Sequence, residues 1–295
     1  MKDVFMRRLA KPMLLLAALI WGSSFFIMKG AVDDLPIFYL LALRFTGGAV
    51  LMALLCIPKW KKLDLGYLWR GALFGGLLFA AYSVQTFGLA GTTPSKNAFL
   101  TAVYCVLVPF FYWITAGRRP DRFHLLAALL CVAGVGLVSL SGRLTVSWGD
   151  GLTLCAAVLF ALHIVAVSTC SPGRDIYLLT TLQFAFSALL SWVFGGIFQS
   201  PPPLSLLLEP SILGPLLYLT VFATTVALLF QNVGQVWSDP SSASILLSLE
   251  SVFGVLCSVI FYHEQLTARM ALGFVCIFTA VLCSETKFSF LKKRG

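Results

Sequence analysis

A few polar side chains set inside long apolar runs carry whatever chemistry this chain performs. Glu250 stands about ten residues into an apolar stretch of roughly 23, hence ~15 Å from either edge of a ~30 Å hydrocarbon layer. An ionisable group at that depth is costly and asks for a reason. A carboxyl there can couple transport to protons or hold a substrate amine; a fixed ion pair with Arg44, or a protonated acid in a hydrogen bond, is the structural alternative. His163 is the second proton-coupling candidate, a titratable ring inside another run; it can relay a proton or bind a solute, or simply bond to a backbone carbonyl. Tyr82, Gln85, Tyr104, Gln231 and Gln235 add hydroxyl and amide groups suited to a zwitterion, with interhelical hydrogen bonding as their bland role. Trp21, Ser24 and Phe25 supply aromatic walls with a polar group between them, the lining an organic solute needs. Arg44 reads as a structural charge, and no metal site or cofactor is expected.

These residues fall into a pattern because the chain repeats itself. Gln85-Thr86-Phe87-Gly88 through Pro94-Ser95 returns 146 residues later as Gln231-Asn232-Val233-Gly234 through Pro240-Ser241, without a gap. Ile37 to Phe45 aligns with Ile176 to Phe184 at a shift of 139, and the longer Pro-rich loop 199–210 supplies the difference. At the shift of 146, Tyr104 falls on Glu250, which marks one level of two corresponding spans as a cavity level.

The elements that hold these groups are helices of membrane length. With 59% hydrophobic and 11% charged residues and a mean hydropathy of +0.92, the chain cannot be a water-soluble domain, where charged residues run near ~25%. Continuous runs of roughly 18–24 residues exclude a β-barrel, whose segments are short and alternating. Ten spans are expected: 12–30, 36–57, 68–90, 95–116, 122–140, 150–170, 175–198, 211–235, 240–262 and 266–284. Of the 21 lysines and arginines, 16 fall on one face, so the positive-inside rule puts both termini in the cytoplasm. The net charge of +9 is topogenic and calls for no nucleic acid. The eight cysteines form no Cys-x-x-Cys pair and read as packing residues.

Five spans per copy is an odd number, so the second copy must enter the membrane from the opposite side. The expected fold is an all-α integral membrane protein of ten transmembrane helices in two inverted five-helix repeats, 12–143 and 148–285. That plan recurs in secondary transporters, with the site between the halves near the midplane.

Trp21-Gly22-Ser23-Ser24-Phe25 through Lys29, Pro36, Leu43-Arg44-Phe45, the two Pro-Ser span starts, and Tyr262-His263-Glu264-Gln265-Leu266-Thr267 with Gly273 resemble the EamA-like family of the drug/metabolite transporter superfamily. The likeness covers about residues 12–285 and implies ten helices, a cavity between the halves, and metabolite transport, often export of amino acids. The chain departs from it where Arg118 answers Glu264 at the shift of 146, where His263 replaces the turn's usual glycine, and where Phe160-Ala161-Leu162-His163 answers Trp21-Gly22-Ser23-Ser24.

The expected function is therefore a secondary carrier for small organic metabolites, functional as a monomer in a bacterial inner membrane. Within transport the alternative is a proton-coupled exporter of lipophilic cations, with Glu250 among aromatics as the cation's partner. An intramembrane enzyme is the alternative of a different class. It is not favoured, since it would need a clustered acid/base or metal constellation at the membrane–water interface, where Glu264 beside His263 is about all the sequence offers, and no Gly-x-Ser-x-Gly elbow occurs. The lack of a Gly-x4-Gly-Lys-Ser/Thr loop speaks against an ATP-driven pump.

Overall fold

A backbone in hydrocarbon must satisfy its own hydrogen bonds, and continuous apolar runs can do so only as helices. The computed structural model describes residues 2–139, 147–262 and 267–286, and within them every regular element is helical. In chain order these are α1 (Lys2–Asp34), α2 (Ile37–Leu55), α3 (Leu65–Ala90), α4 (Pro94–Ala102), α5 (Tyr104–Ala116), α6 (Arg122–Ser139) and α7 (Trp148–Cys170). There follow α8 (Ile176–Phe198), α9 (Leu204–Leu207), α10 (Pro210–Tyr218), α11 (Ala227–Val236), α12 (Pro240–Leu247), α13 (Glu250–Tyr262) and α14 (Ala268–Thr286). A 3₁₀ turn, Ile57–Lys62, follows α2, and a π-helical segment, Leu219–Val226, joins α10 to α11.

Among the described residues, eight helical segments are long and apolar enough to span a membrane. Two of them are α4 with α5 and α12 with the start of α13, each read across its break. The fifth and tenth expected spans are the helices α6 and α14, whose apolar stretches, Arg122–Gly134 and Ala271–Val281, are shorter. The turn His263–Glu264 lies outside the described residues.

The bundle shows lipid its apolar side. Leu54, Leu55, Ile114, Leu129, Ile197, Phe198 and Phe278 are exposed, whereas Phe45, Phe74 and Phe184 are fully buried. Helices of the first half pack mainly on helices of the second: α1 on α11 and α13, α2 on α8, α3 on α7 and α8, α6 on α14. Small residues make this possible. A Cβ on Gly71 would lie 2.5 Å from the Leu182 Cβ, and one on Gly75 would lie 2.7 Å from the Gln183 carbonyl, so α3 and α8 meet almost backbone to backbone.

Three local irregularities position the site. α4 gives way to α5 at Val103, where the bonds Val103 N–Leu100 O and Val106 N–Val103 O tighten to three-residue spacing. α12 gives way to α13 at Ser248–Leu249, where the Ser244, Ser248 and Ser251 hydroxyls each donate to a carbonyl three residues back and compete with the helix ladder. The residues just after the breaks, Tyr104 and Glu250, are 146 apart in sequence. In the π-helical segment, Thr225 donates to the Thr220 carbonyl five residues back, and the Ala223 carbonyl takes the Trp21 indole N–H at 2.8 Å.

One end of the bundle is tied by charge. There the segment between α2 and α3 meets the one between α7 and α8. Arg174 Nη1 stands 2.6 Å from Asp64 Oδ2, and Lys59 Nζ stands 3.0 Å from Asp175 Oδ1, with Lys62 Nζ 3.6 Å from Asp175 Oδ2. The Tyr67 hydroxyl accepts from the Asp175 N–H at 2.9 Å. The hydrogen bond from Arg174 holds the Asp64 carboxyl below its ordinary range. Burial pushes the Asp175 carboxyl up, but the hydrogen bond and charge of Lys59 with the Tyr177 and Leu178 N–H groups outweigh it and hold it low.

Candidate functional site

The Tyr104 hydroxyl donates to Glu250 Oε1 at 3.1 Å, and this bond joins the two helix breaks at the back of a cavity. The cavity is partly open, and its empty space, open solvent included, comes to about 600 Å³. Trp21, Ser24, Phe25 and Met28 come from α1, Arg44 from α2, Tyr82, Gln85, Thr86 and Leu89 from α3, and Asn97 and Thr101 from α4. Tyr104 comes from α5, Phe160 and Ile164 from α7, Gln231 from α11, Leu247 from α12 and Glu250 from α13. Met28, Leu89 and Asn97 stand near the ends of α1 and α3 and the start of α4, so the cavity runs from Glu250 toward the bundle end that carries the Lys96–Asp150 pair, opposite the pairs of Asp64 and Asp175.

The walls are aromatic and the polar groups are held. Tyr82 meets Phe45 and Phe160 edge-on, with ring centroids 5.5 and 5.3 Å away. Gln85 donates to Thr101 at 3.0 Å; Asn97 donates to the Gln85 carbonyl at 3.2 Å and to Thr153 at 2.7 Å. The Asn97 carbonyl oxygen, fully buried in the cavity wall, has no hydrogen-bond partner among the described residues. Glu250, 4% exposed, has Tyr104 as its side-chain partner and forms no ion pair with Arg44. Ordered hydrogen-bonding groups in a mostly apolar cleft are what orients a small organic solute. The EamA-like transporter family matches residues 9–140 and 147–286, nearly the whole chain in two consecutive copies.

The chain belongs to the EamA-like transporter family.

It is a multi-pass membrane transporter, working in lipid on a small-molecule solute. An uncharacterized transporter of Archaeoglobus fulgidus is 33% identical over 269 residues, covering 91% of this chain and 83% of that one. The uncharacterized transporter YvbV of Bacillus subtilis is 26% identical over 283 residues, covering 93% and 91%. The uncharacterized inner membrane transporter YedA of Escherichia coli K12 is 25% identical over 292 residues, covering 93% and 90%. A crystal structure with 18% identity covers 94% of this chain and 97% of its own, with a TM-score of 0.77, and so has the same fold.

Of the residues singled out in the sequence of this EamA-like protein, Trp21, Ser24, Phe25, Arg44, Tyr82, Gln85, Tyr104, Gln231 and Glu250 come together around the cavity. Two do not. His163 is fully buried between α3 and α8, its Nε2 3.2 Å from Gln183 Oε1 and its ring edge-on to Phe74. Gln235, one turn beyond Gln231, is 1% exposed and outside the lining. Asn97, Thr101, Thr86 and Met28 line the cavity without having been singled out. The signal for Asn97 was a polar residue one turn inside the fourth span. Among the described residues no cluster of three metal-ligating side chains occurs.

Proposed function

We propose that this chain is a secondary active carrier that exports small polar organic metabolites, amino acids among them, by alternating access through the cavity. In this proposal residues 12–143 and 148–285 are two five-helix repeats of opposite orientation, ten spanning helices in all, and the cavity lies between them. The observation that carries it is the Tyr104–Glu250 hydrogen bond: corresponding positions of the two copies, each just past a helix break, meet at the cavity floor. Discontinuous helices near the midplane are where such carriers bind solute. The packing supports the same reading, because α1 on α11 and α3 on α7 are corresponding contacts of the two halves. With both termini cytoplasmic, the cavity opens outward and the ion pairs close the inner end. Glu250 is the proton-exchanging group, the other lining residues hold the solute, and one chain suffices.

The test is counterflow in proteoliposomes preloaded with pooled unlabelled amino acids. Uptake of labelled amino acid from outside, driven only by the internal pool, supports the carrier. Uptake that needs no internal pool and does not saturate contradicts it. A lipophilic-cation exporter is the competing assignment, since Glu250 shares the cavity wall with the aromatic rings of Trp21, Tyr82 and Phe160. Preloading with lipophilic cations separates the two.

A further inference from the structure

Arg44 is the cationic side chain of the cavity wall, and it is 2% exposed. Its Nε donates to Thr224 Oγ1 at 3.1 Å, and Nη1 reaches the Met28 sulfur at 3.2 Å, a weak acceptor. Its guanidinium carbon lies 5.2 Å from the centroid of the Tyr82 ring. Among the described residues no carboxylate lies within 4.0 Å of it. A guanidinium carries five N–H donors and is always charged; here Thr224, the Met28 sulfur and the Tyr82 side chain meet it, and none of them brings an opposite charge. A buried charge of this kind is expensive until an opposite charge meets it. The carboxylate on the other side of the cavity, Glu250, is engaged by Tyr104 instead.

We propose that Arg44 is the anchor for a carboxylate on the transported solute, and that the cavity therefore selects organic acids over lipophilic cations. This rests on the carrier assignment above and narrows its substrate class. The planar fork of Arg matches a carboxylate, and Thr224 and Tyr82 fix the plane in which it is offered. A phosphate dianion would call for a second cation, and the lining has none. A lipophilic cation would be repelled by a charge that cannot be removed.

The experiment is competition against labelled amino-acid uptake in proteoliposomes of the wild-type protein, Arg44→Gln, Arg44→Lys and Thr224→Val. Competitors are free amino acids, amine-free monocarboxylates, amino-acid methyl esters and lipophilic cations. Free acids should compete at least about tenfold better than their esters in the wild type. Amine-free monocarboxylates that compete as well show that the carboxylate alone suffices; if only amino acids do, a zwitterion is required, and both outcomes support the anchor. Arg44→Gln should raise KM at least about tenfold, change Vmax less, and erase the acid-over-ester preference. Arg44→Lys should restore part of it, and Thr224→Val, which keeps the charge, should retain it. Wild-type competition needs no variant to fold, so the proposal falls if esters or cations compete as well as free acids, or if Arg44→Gln keeps the preference. Exchange of cations or sugars but of no carboxylate overturns the anchor alone; exchange of nothing overturns the carrier assignment with it.

Discussion

Gly22 bears on the whole site although it contributes no polar group to it. A Cβ built there would lie 2.5 Å from the Phe253 Cβ, 2.8 Å from the Gly254 nitrogen and 2.9 Å from the Glu250 carbonyl oxygen. Carbon atoms in ordinary contact sit about 3.5–4.0 Å apart, so Gly22→Ala must drive α1 and α13 apart by about 1 Å. Two of the three atoms are backbone and cannot rotate away. Overpacking of this kind costs about 1–3 kcal/mol of stability. α13 begins at Glu250, whose bond from Tyr104 is already 3.1 Å long, and a further ~1 Å takes it beyond hydrogen-bonding range. Leaving a buried polar group unmet costs about 1–3 kcal/mol, or about 5–150-fold in any step that uses the pair. The control is Gly30→Ala in the same helix, where a Cβ meets nothing within 4 Å. The assay is the initial counterflow rate per mole of monodisperse protein, with thermal unfolding measured in parallel. Gly22→Ala should lose rate at least about fivefold and lose thermal stability, while Gly30→Ala keeps both. A Gly22→Ala protein with wild-type rate and stability would refute the claim that α1 and α13 hold the Tyr104–Glu250 pair in place.

Three further outcomes are expected. Glu250→Gln, whose amide oxygen can still accept from Tyr104, should keep counterflow but lose accumulation driven by an imposed pH gradient; retained accumulation would remove Glu250 from coupling. Asp175→Asn should loosen the charged end, the Lys59 pair contributing about 0.2–1 kcal/mol or about 1.4–5-fold, read as increased thiol labelling from that side. Both Asp64 and Asp175 are held below the ordinary aspartate value, so closure is fully present above about pH 4 and is lost as pH falls through their lowered values. Labelling from that end should thus be flat from about pH 5 to 8 and rise in stronger acid; a rise across the neutral range would point to another group.

The apolar runs placed helices correctly because membrane insertion depends on length and hydropathy, both local properties. The level shared by Tyr104 and Glu250 was legible for a different reason: aligning the two copies put them in register. The place of His163 was not legible, since its partner, Gln183, lies on the next helix and nothing in the run around either residue says which faces touch. Gln235 shares a face with Gln231 but lies one turn deeper, past the floor of the cavity. The helix breaks were hidden too. Ala102-Val103-Tyr104 contains no breaker, and at Ser248 the cause is a series of serine hydroxyl bonds that a hydropathy pattern does not register. The π-helical segment that brings Thr224 to Arg44 is equally silent in sequence.

In the proposed transport cycle one cavity serves both sides of the membrane in turn. The most direct test of that cycle is a single cysteine at Gln85, in a background with the eight native cysteines replaced, labelled by an impermeant thiol reagent from each side in turn. Labelling is expected from the outer side at rest, with protection by transported solute and new labelling from the inner side when Asp175→Asn loosens the pairs of Asp64 and Asp175. Equal labelling from both sides at rest, unaffected by solute or by that substitution, would describe an open pore and contradict the cycle.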